Sequence, residues 1–84
     1  SRTALPGLGG RLQIRQVDGW VREERSAADE FKIESETGEV FRVPCRDYDP
    51  VPALGARFKG ALILMRKNDD GSWFARRAAA AGLR

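Results

Sequence analysis

The clearest order in this chain is a two-residue beat of apolar and polar positions. Phe31-Lys32-Ile33-Glu34-Ser35 alternates, and Glu39-Val40-Phe41-Arg42-Val43 does the same, which is the period of strands with one buried face. Phe31, Ile33, Phe41 and Val43 share that face only if Ile33 opposes Phe41 and Phe31 opposes Val43. This register leaves Glu36-Thr37-Gly38 as the loop. Its last position needs left-handed backbone, which Gly38 adopts without a Cβ penalty. Pattern and turn chemistry thus predict the same hairpin. On the outer face the register sets Lys32 against Arg42, a destabilising like-charge pair unless acidic neighbours such as Glu30 and Glu34, or a bound anion, compensate it.

Upstream, Arg11-Leu12-Gln13-Ile14-Arg15 alternates and Trp20-Val21-Arg22 resumes the beat after Asp18-Gly19. A tight Asp-Gly hairpin would put Ile14 opposite Glu23 and mix the faces, so one long strand bent at a bulge near Gly19 is expected. Ser26-Ala27-Ala28-Asp29 reads as a short turn. Pro44 to Leu54, with Pro44, Pro50 and Pro52, reads as an ordered loop. From Arg57 to Lys67 a long strand is expected, apolar on both faces in its middle as if shared by two halves of a barrel. Asn68-Asp69-Asp70-Gly71 is a turn, Ser72-Trp73-Phe74-Ala75-Arg76 a closing strand, and Ala78 to Ala81 a possible helical turn.

Five strands in so short a span predict an all-β fold, a small five-stranded barrel. The expected organisation is a loose arm over residues 1–10, a single barrel domain over 11–77 and a tail over 78–84. Two architectures fit: an oligonucleotide-binding (OB) barrel, or a Src-homology-3-like barrel. The segment Cys45 to Ala56, where OB barrels usually carry a helix, is too rich in proline for a regular one.

Composition narrows the chemistry. The chain has 84 residues, 42% hydrophobic and 32% charged, the make-up of a folded domain. The longest apolar run, Ala61-Leu62-Ile63-Leu64-Met65, is far too short to span a bilayer as a helix. With no signal-peptide pattern at the N-terminus either, a cytoplasmic setting without membrane contact is expected. There is no His and one Cys, so a His-based triad, a disulfide framework and a Cys/His zinc site are all excluded. Cys45, between Arg42 and Arg46 in a basic stretch, could be a reactive thiol; a buried strand-end residue is the reading preferred here. Asp47-Tyr48-Asp49 and Asp69-Asp70 lack the spaced ligand ladder of a calcium loop and read as turn formers. No cofactor and no catalysis are expected.

Charge is unevenly spread. The formal net charge is +3, and twelve of the fifteen basic residues are Arg, which favours forked contacts to phosphate, although a GC-rich genome gives the same bias. The acidic residues Glu23, Glu24, Asp29, Glu30, Glu34, Glu36 and Glu39 crowd one segment, and basic ones dominate before and after it. Single-strand binders combine a positive groove with exposed rings. The candidate cations are Lys32, Arg42, Arg57, Lys59, Arg66, Lys67, Arg76 and Arg77; the candidate rings are Trp20, Tyr48, Trp73 and Phe74. Phe31, Phe41 and Phe58 fall on apolar stripes and belong to the core. Trp73 and Phe74 are adjacent on one strand, so at most one fills the barrel. Tyr48, between Asp47 and Asp49, is expected to pack in its loop.

The stretch Asp29 to Arg77 resembles the smallest OB barrels, the cold-shock domains and bacterial translation initiation factor one. The likeness rests on the hairpin turning at Gly38, on the Leu54-Gly55 step before a long strand from Arg57, and on the Asp69-Asp70-Gly71 turn into the strand that ends in Arg76-Arg77. It implies the fold; separately, the basic, aromatic-bearing face predicts a non-catalytic domain binding single-stranded DNA or RNA. The Lys-Gly-Phe-Gly-Phe run of cold-shock domains is absent here, so no binding residue is carried over. The rival reading is a Src-homology-3-like protein-interaction or dimerisation module, with Trp73 or Phe74 against a protein partner or second copy. The placing of acids separates the two: Glu30, Glu34 and Glu39 sharing a wall with Arg57 and Arg76 would repel phosphate, whereas acids on the opposite wall would leave a polarised barrel.

Overall fold

Alternating apolar residues build five strands that curl until the first meets the fourth. The computed structural model describes residues 13–80. In it β1 (Ile14–Glu23), β2 (Glu30–Ser35), β3 (Val40–Pro44), β4 (Arg57–Lys67) and β5 (Trp73–Arg77) follow in order, with one 3-10 turn (Cys45–Asp47) after β3. They form a closed barrel in the spatial order β1-β2-β3-β5-β4. Neighbours are antiparallel except β3 and β5, which run parallel. This all-β architecture is compatible with an OB-like barrel. No described helix is long and apolar enough to cross a membrane. The expected arm over residues 1–10, the first two residues of the expected first strand and the end of the tail lie outside the described residues.

The hairpin has the register its pattern predicts: Phe31 pairs with Val43, Lys32 with Arg42 and Ile33 with Phe41. Gly38 sits at φ +88°, and its amide donates to the Ser35 carbonyl. The four inward side chains are all buried and join Val17, Val21, Cys45, Phe58, Leu62, Leu64 and Ala75 in one core. β4 has the expected bounds. Its Leu62 and Leu64 face the core while Ile63, outside that cluster, is buried too, with Ile14 and Arg76 as register neighbours.

β1 is one continuous strand, serving two walls: Ile14 to Trp20 pairs with β4, and Gly19 to Glu23 pairs with β2. Its bulge lies between Val21 and Glu23, further along than the expected position at Gly19. Gly19 serves a different purpose. It pairs on both sides, and a Cβ there would lie 2.2 Å from the Glu34 carbonyl oxygen and 2.9 Å from the Ser35 Cα. A side chain is thus excluded where the strand crosses between walls, while the bend is taken up nearby. The loop before β4 grips the same strand: the Val21 amide donates to the Ala56 carbonyl and the Gly55 amide to the Val21 carbonyl.

The remaining connections are short. Ser26 Oγ accepts from the Ala28 and Glu30 amides, and Asp29 takes φ +65°, a left-handed conformation that Asp tolerates better than most side chains. Proline ends β3, and a single 3-10 turn stands where a helix would be. Closing strand β5 begins at Trp73 rather than at Ser72 and ends at Arg77; Ala78 to Ala80 form a turn and no helix.

Replacing Gly19 by Ala is expected to cost about 3 kcal/mol, the upper part of the range for overpacking, because the obstacle is backbone that cannot rotate away. At Gly60 a Cβ would meet only the Phe58 ring at 3.4 Å, so Gly60→Ala is expected to cost under about 1 kcal/mol. Urea unfolding followed by tryptophan fluorescence measures both; equal midpoints for the two variants would contradict the assignment.

Candidate nucleic-acid interface

The barrel's outer surface divides into two walls of different charge, and strand register draws both. On one, Glu34 of β2, Trp20 of β1 and Arg57 of β4 are successive partners. Arg57 Nε donates to Asp18 Oδ1 at 2.6 Å and its Nη2 to Glu36 Oε2 at 3.2 Å; the Arg57 hydrogen bond holds the Asp18 carboxyl below its ordinary value. Arg22 pairs with Glu34 at 3.4 Å, Lys59 approaches Asp18 at 4.0 Å and Arg15 pairs with Glu39. Trp20 is flanked by the guanidinium groups of Arg57 and Arg22, 4.9 and 5.5 Å from its centroid. The acids here offset the cations. Among the expected phosphate contacts, Arg57 and Lys59 therefore stand on a wall with Glu34, Glu36 and Asp18.

The second wall carries a different row. Lys32 of β2 pairs with Arg42 of β3, Arg42 with Phe74 of β5, and Phe74 with Arg66 of β4. Inward Phe31 and Ile33, inward Phe41 and Val43, and buried Ala75 force Lys32, Arg42 and Phe74 outward, since a strand alternates its faces; Arg66, two positions after core Leu64, is turned outward by the β-bulge between them. Phe74 is the outer ring of the Trp73-Phe74 pair; Trp73 packs against the core at the barrel's rim. The Arg66 guanidinium lies 4.5 Å from the Phe74 centroid, and Lys67 Nζ lies 5.1 Å from that of Trp73. Carboxylates stand beside this row at its β2–β3 end: Glu23 is the register partner of Lys32 on β1 and pairs with Arg42 at 3.2 Å, and Asp70 lies 3.6 Å from Arg42. These are the carboxylates that compensate the Lys32–Arg42 apposition, in place of the expected Glu30 and Glu34.

Arg76 and Arg77 do other work. Asp47, its side chain 2% exposed, accepts from Arg76 Nε and Nη2, both at 2.7 Å, and from the Arg77 amide at 3.1 Å. Burial pushes the Asp47 carboxyl up, but these donors and the nearby cations outweigh it and hold it below its ordinary value. The fork ties the turn after β3 to the closing strand. Arg77 extends over Tyr48, 5.0 Å from its centroid. Tyr48 packs edge-on against Phe31 and Phe58, as a loop ring expected to pack, and burial pushes its phenol up to about 12 despite the Arg77 cation. Cys45 is 1% exposed, and burial raises its thiol. The buried reading holds for this residue, and a thiolate nucleophile is disfavoured.

Two residues that decide this geometry were not among the candidates. Asp70 has a local signature, an Asp two positions before a Ser in a Gly turn: it accepts from the Ser72 amide at 2.9 Å and from its hydroxyl at 2.6 Å. The pairing of Asp47 with Arg76 spans 29 residues and has no local signature at all. The chain matches no family model, curated protein or solved structure in comparisons with known proteins.

Asp47→Asn should lower stability by about 3 kcal/mol, the low end for breaking a buried pair because Arg76 keeps 25% exposure. Since the folded carboxyl titrates below its unfolded value of about 3.9, its stabilisation is complete above that value and is lost as pH falls through the folded one. Urea midpoints from pH 7 to pH 2 test this. The parent's advantage over the Asn variant should shrink at the acid end; a constant difference would contradict the assignment.

Proposed function

We propose that this barrel is a non-catalytic domain binding single-stranded DNA or RNA across the outer wall of β2, β3, β5 and β4. The observation that carries the reading is the register row Lys32–Arg42–Phe74–Arg66, with the ring between cations and no acid between neighbouring members. Phosphates need the cations, and any base can stack on the ring. The opposite wall, where Arg57 is held by Asp18 and Glu36, gives the polarity that such binding requires. Small OB barrels take oligonucleotides over strands two and three and the loops beside them, which is where Lys32, Arg42 and the β4–β5 turn lie. The likeness to cold-shock domains and translation initiation factor one agrees with this at the level of fold. A non-catalytic role fits a chain without His whose one thiol is buried, and a cytoplasmic setting fits a nucleic-acid partner.

Fluorescence titration with a mixed-sequence single-stranded oligonucleotide, using Trp20 and Trp73, is the test. Binding should fall with salt at a log–log slope of about −2, for three phosphate-facing cations. Arg66→Ala should reduce the slope by about one-third, and Phe74→Ala should weaken binding by about 1–3 kcal/mol. Arg57→Ala should leave affinity within about twofold, because that cation is already neutralised. No binding at low salt, with a dimer in solution, would overturn the reading in favour of a protein-interaction module.

A further inference from the structure

Beside the basic row lies an open groove of about 450 Å³ between the β2–β3 loop and the β4–β5 turn, lined by Lys32, Arg42, Glu39 and Asp70. Its rims carry Gly38 and Gly71, both at positive φ, and a Cβ at either would meet nothing within 4 Å. The mouth is unobstructed. The two carboxylates differ in how they are held. Glu39 is spent on Arg15. Asp70 is pinned by its Oδ1, which takes both Ser72 donors, while Ser72 Oγ also receives Asn68 Nδ2 at 3.0 Å. Ser72 is itself 3% exposed, so this small network is built into the turn. Asp70 Oδ2 remains, 3.6 Å from Arg42 Nη2, too far to be a hydrogen bond. A fixed acceptor and a donor thus stand side by side at the groove.

A phosphate is repelled by that carboxylate, whereas an exocyclic amine can donate to it. Hydrogen bonds from Ser72 hold the Asp70 carboxyl below its ordinary value, so it presents an acceptor at neutral pH. Cytosine offers an N4 donor next to its N3 acceptor, the complement of Asp70 Oδ2 beside Arg42. In the same pose uracil sets its O4 against the carboxylate and its N3–H against the guanidinium. Phosphates engaged by Lys32 and Arg66 would hold the strand in that pose.

Resting on the single-strand reading above, we propose that this groove reads one base of the bound strand through Asp70 and Arg42, favouring cytosine over uracil. The test titrates the intact protein, at neutral pH, with oligo(rC) and oligo(rU) of equal length, which differ only in that base edge. Oligo(rC) is expected to bind about tenfold more tightly, near the low end for a two-bond base contact. Asp70→Asn, with its fold checked by circular dichroism, should cut the preference to within about twofold and strengthen oligo(rU) binding, since a negative charge is removed from the wall. Equal binding of the two oligonucleotides by the unmodified chain, or a preference that survives Asp70→Asn, overturns the proposal while leaving the single-strand reading intact. Failure of both to bind at low salt overturns that reading and this inference with it.

Discussion

Two parallel residue pairs, Phe41 with Trp73 and Arg42 with Phe74, close this barrel, and the rest of the molecule is arranged so that they can form. Parallel pairing demands that β5 arrive beside β3 from the far side of the sheet, after a loop and a long strand. The buried Asp47 fork fixes that arrival, because the turn directly after β3 grips Arg76 and the Arg77 amide on β5. Closure in turn buries Phe41, Val43 and Ala75, and their burial turns Arg42 and Phe74 outward. The candidate binding row exists because the barrel is closed at this one seam.

The same seam explains why a chain of modest charge can have a polarised surface. A net charge of +3 says little about a binding face when seven cations among the described residues are paired with carboxylates in place. Arg57, Arg22 and Arg15 sit beside carboxylates on the β1 wall, and Arg76 is engaged by buried Asp47. What is left for an anion is set by these pairings more than by the total. Arg66 and Lys67 lie at the end of β4, each over an aromatic ring, and Lys32 lies across the seam. Arg42 joins them under the hold of Glu23 and Asp70, so a phosphate there competes with carboxylates already in place.

Local signals were legible in the sequence, and non-local ones were not. The hairpin register follows from four apolar residues and one glycine within thirteen positions, and the bounds of β4 follow from its apolar centre. The division between core Phe31, Phe41 and Phe58 and a single outer ring follows from strand alternation. Choosing Phe74 over Trp73 as that ring required Ala75 to be buried, which depends on the closure. The list of candidate cations was accurate as composition but blind to partners: Arg57 and Asp18 are 39 residues apart and Arg76 and Asp47 are 29 apart. Nothing in either segment announces the other. Gly19 illustrates the same limit, since a glycine that admits a neighbouring backbone and one that marks a bulge look alike in sequence.

Amide chemical-shift mapping on the labelled protein, with a short single-stranded oligonucleotide added at low salt, bears most directly on the central claim that the seam carries the binding face. Shifts are expected to group at Lys32, Arg42, Arg66, Phe74 and the adjoining turn, with Asp18, Trp20 and Arg57 unmoved. Shifts centred on Trp20 and its flanking arginines, or no shifts at all, would contradict that claim.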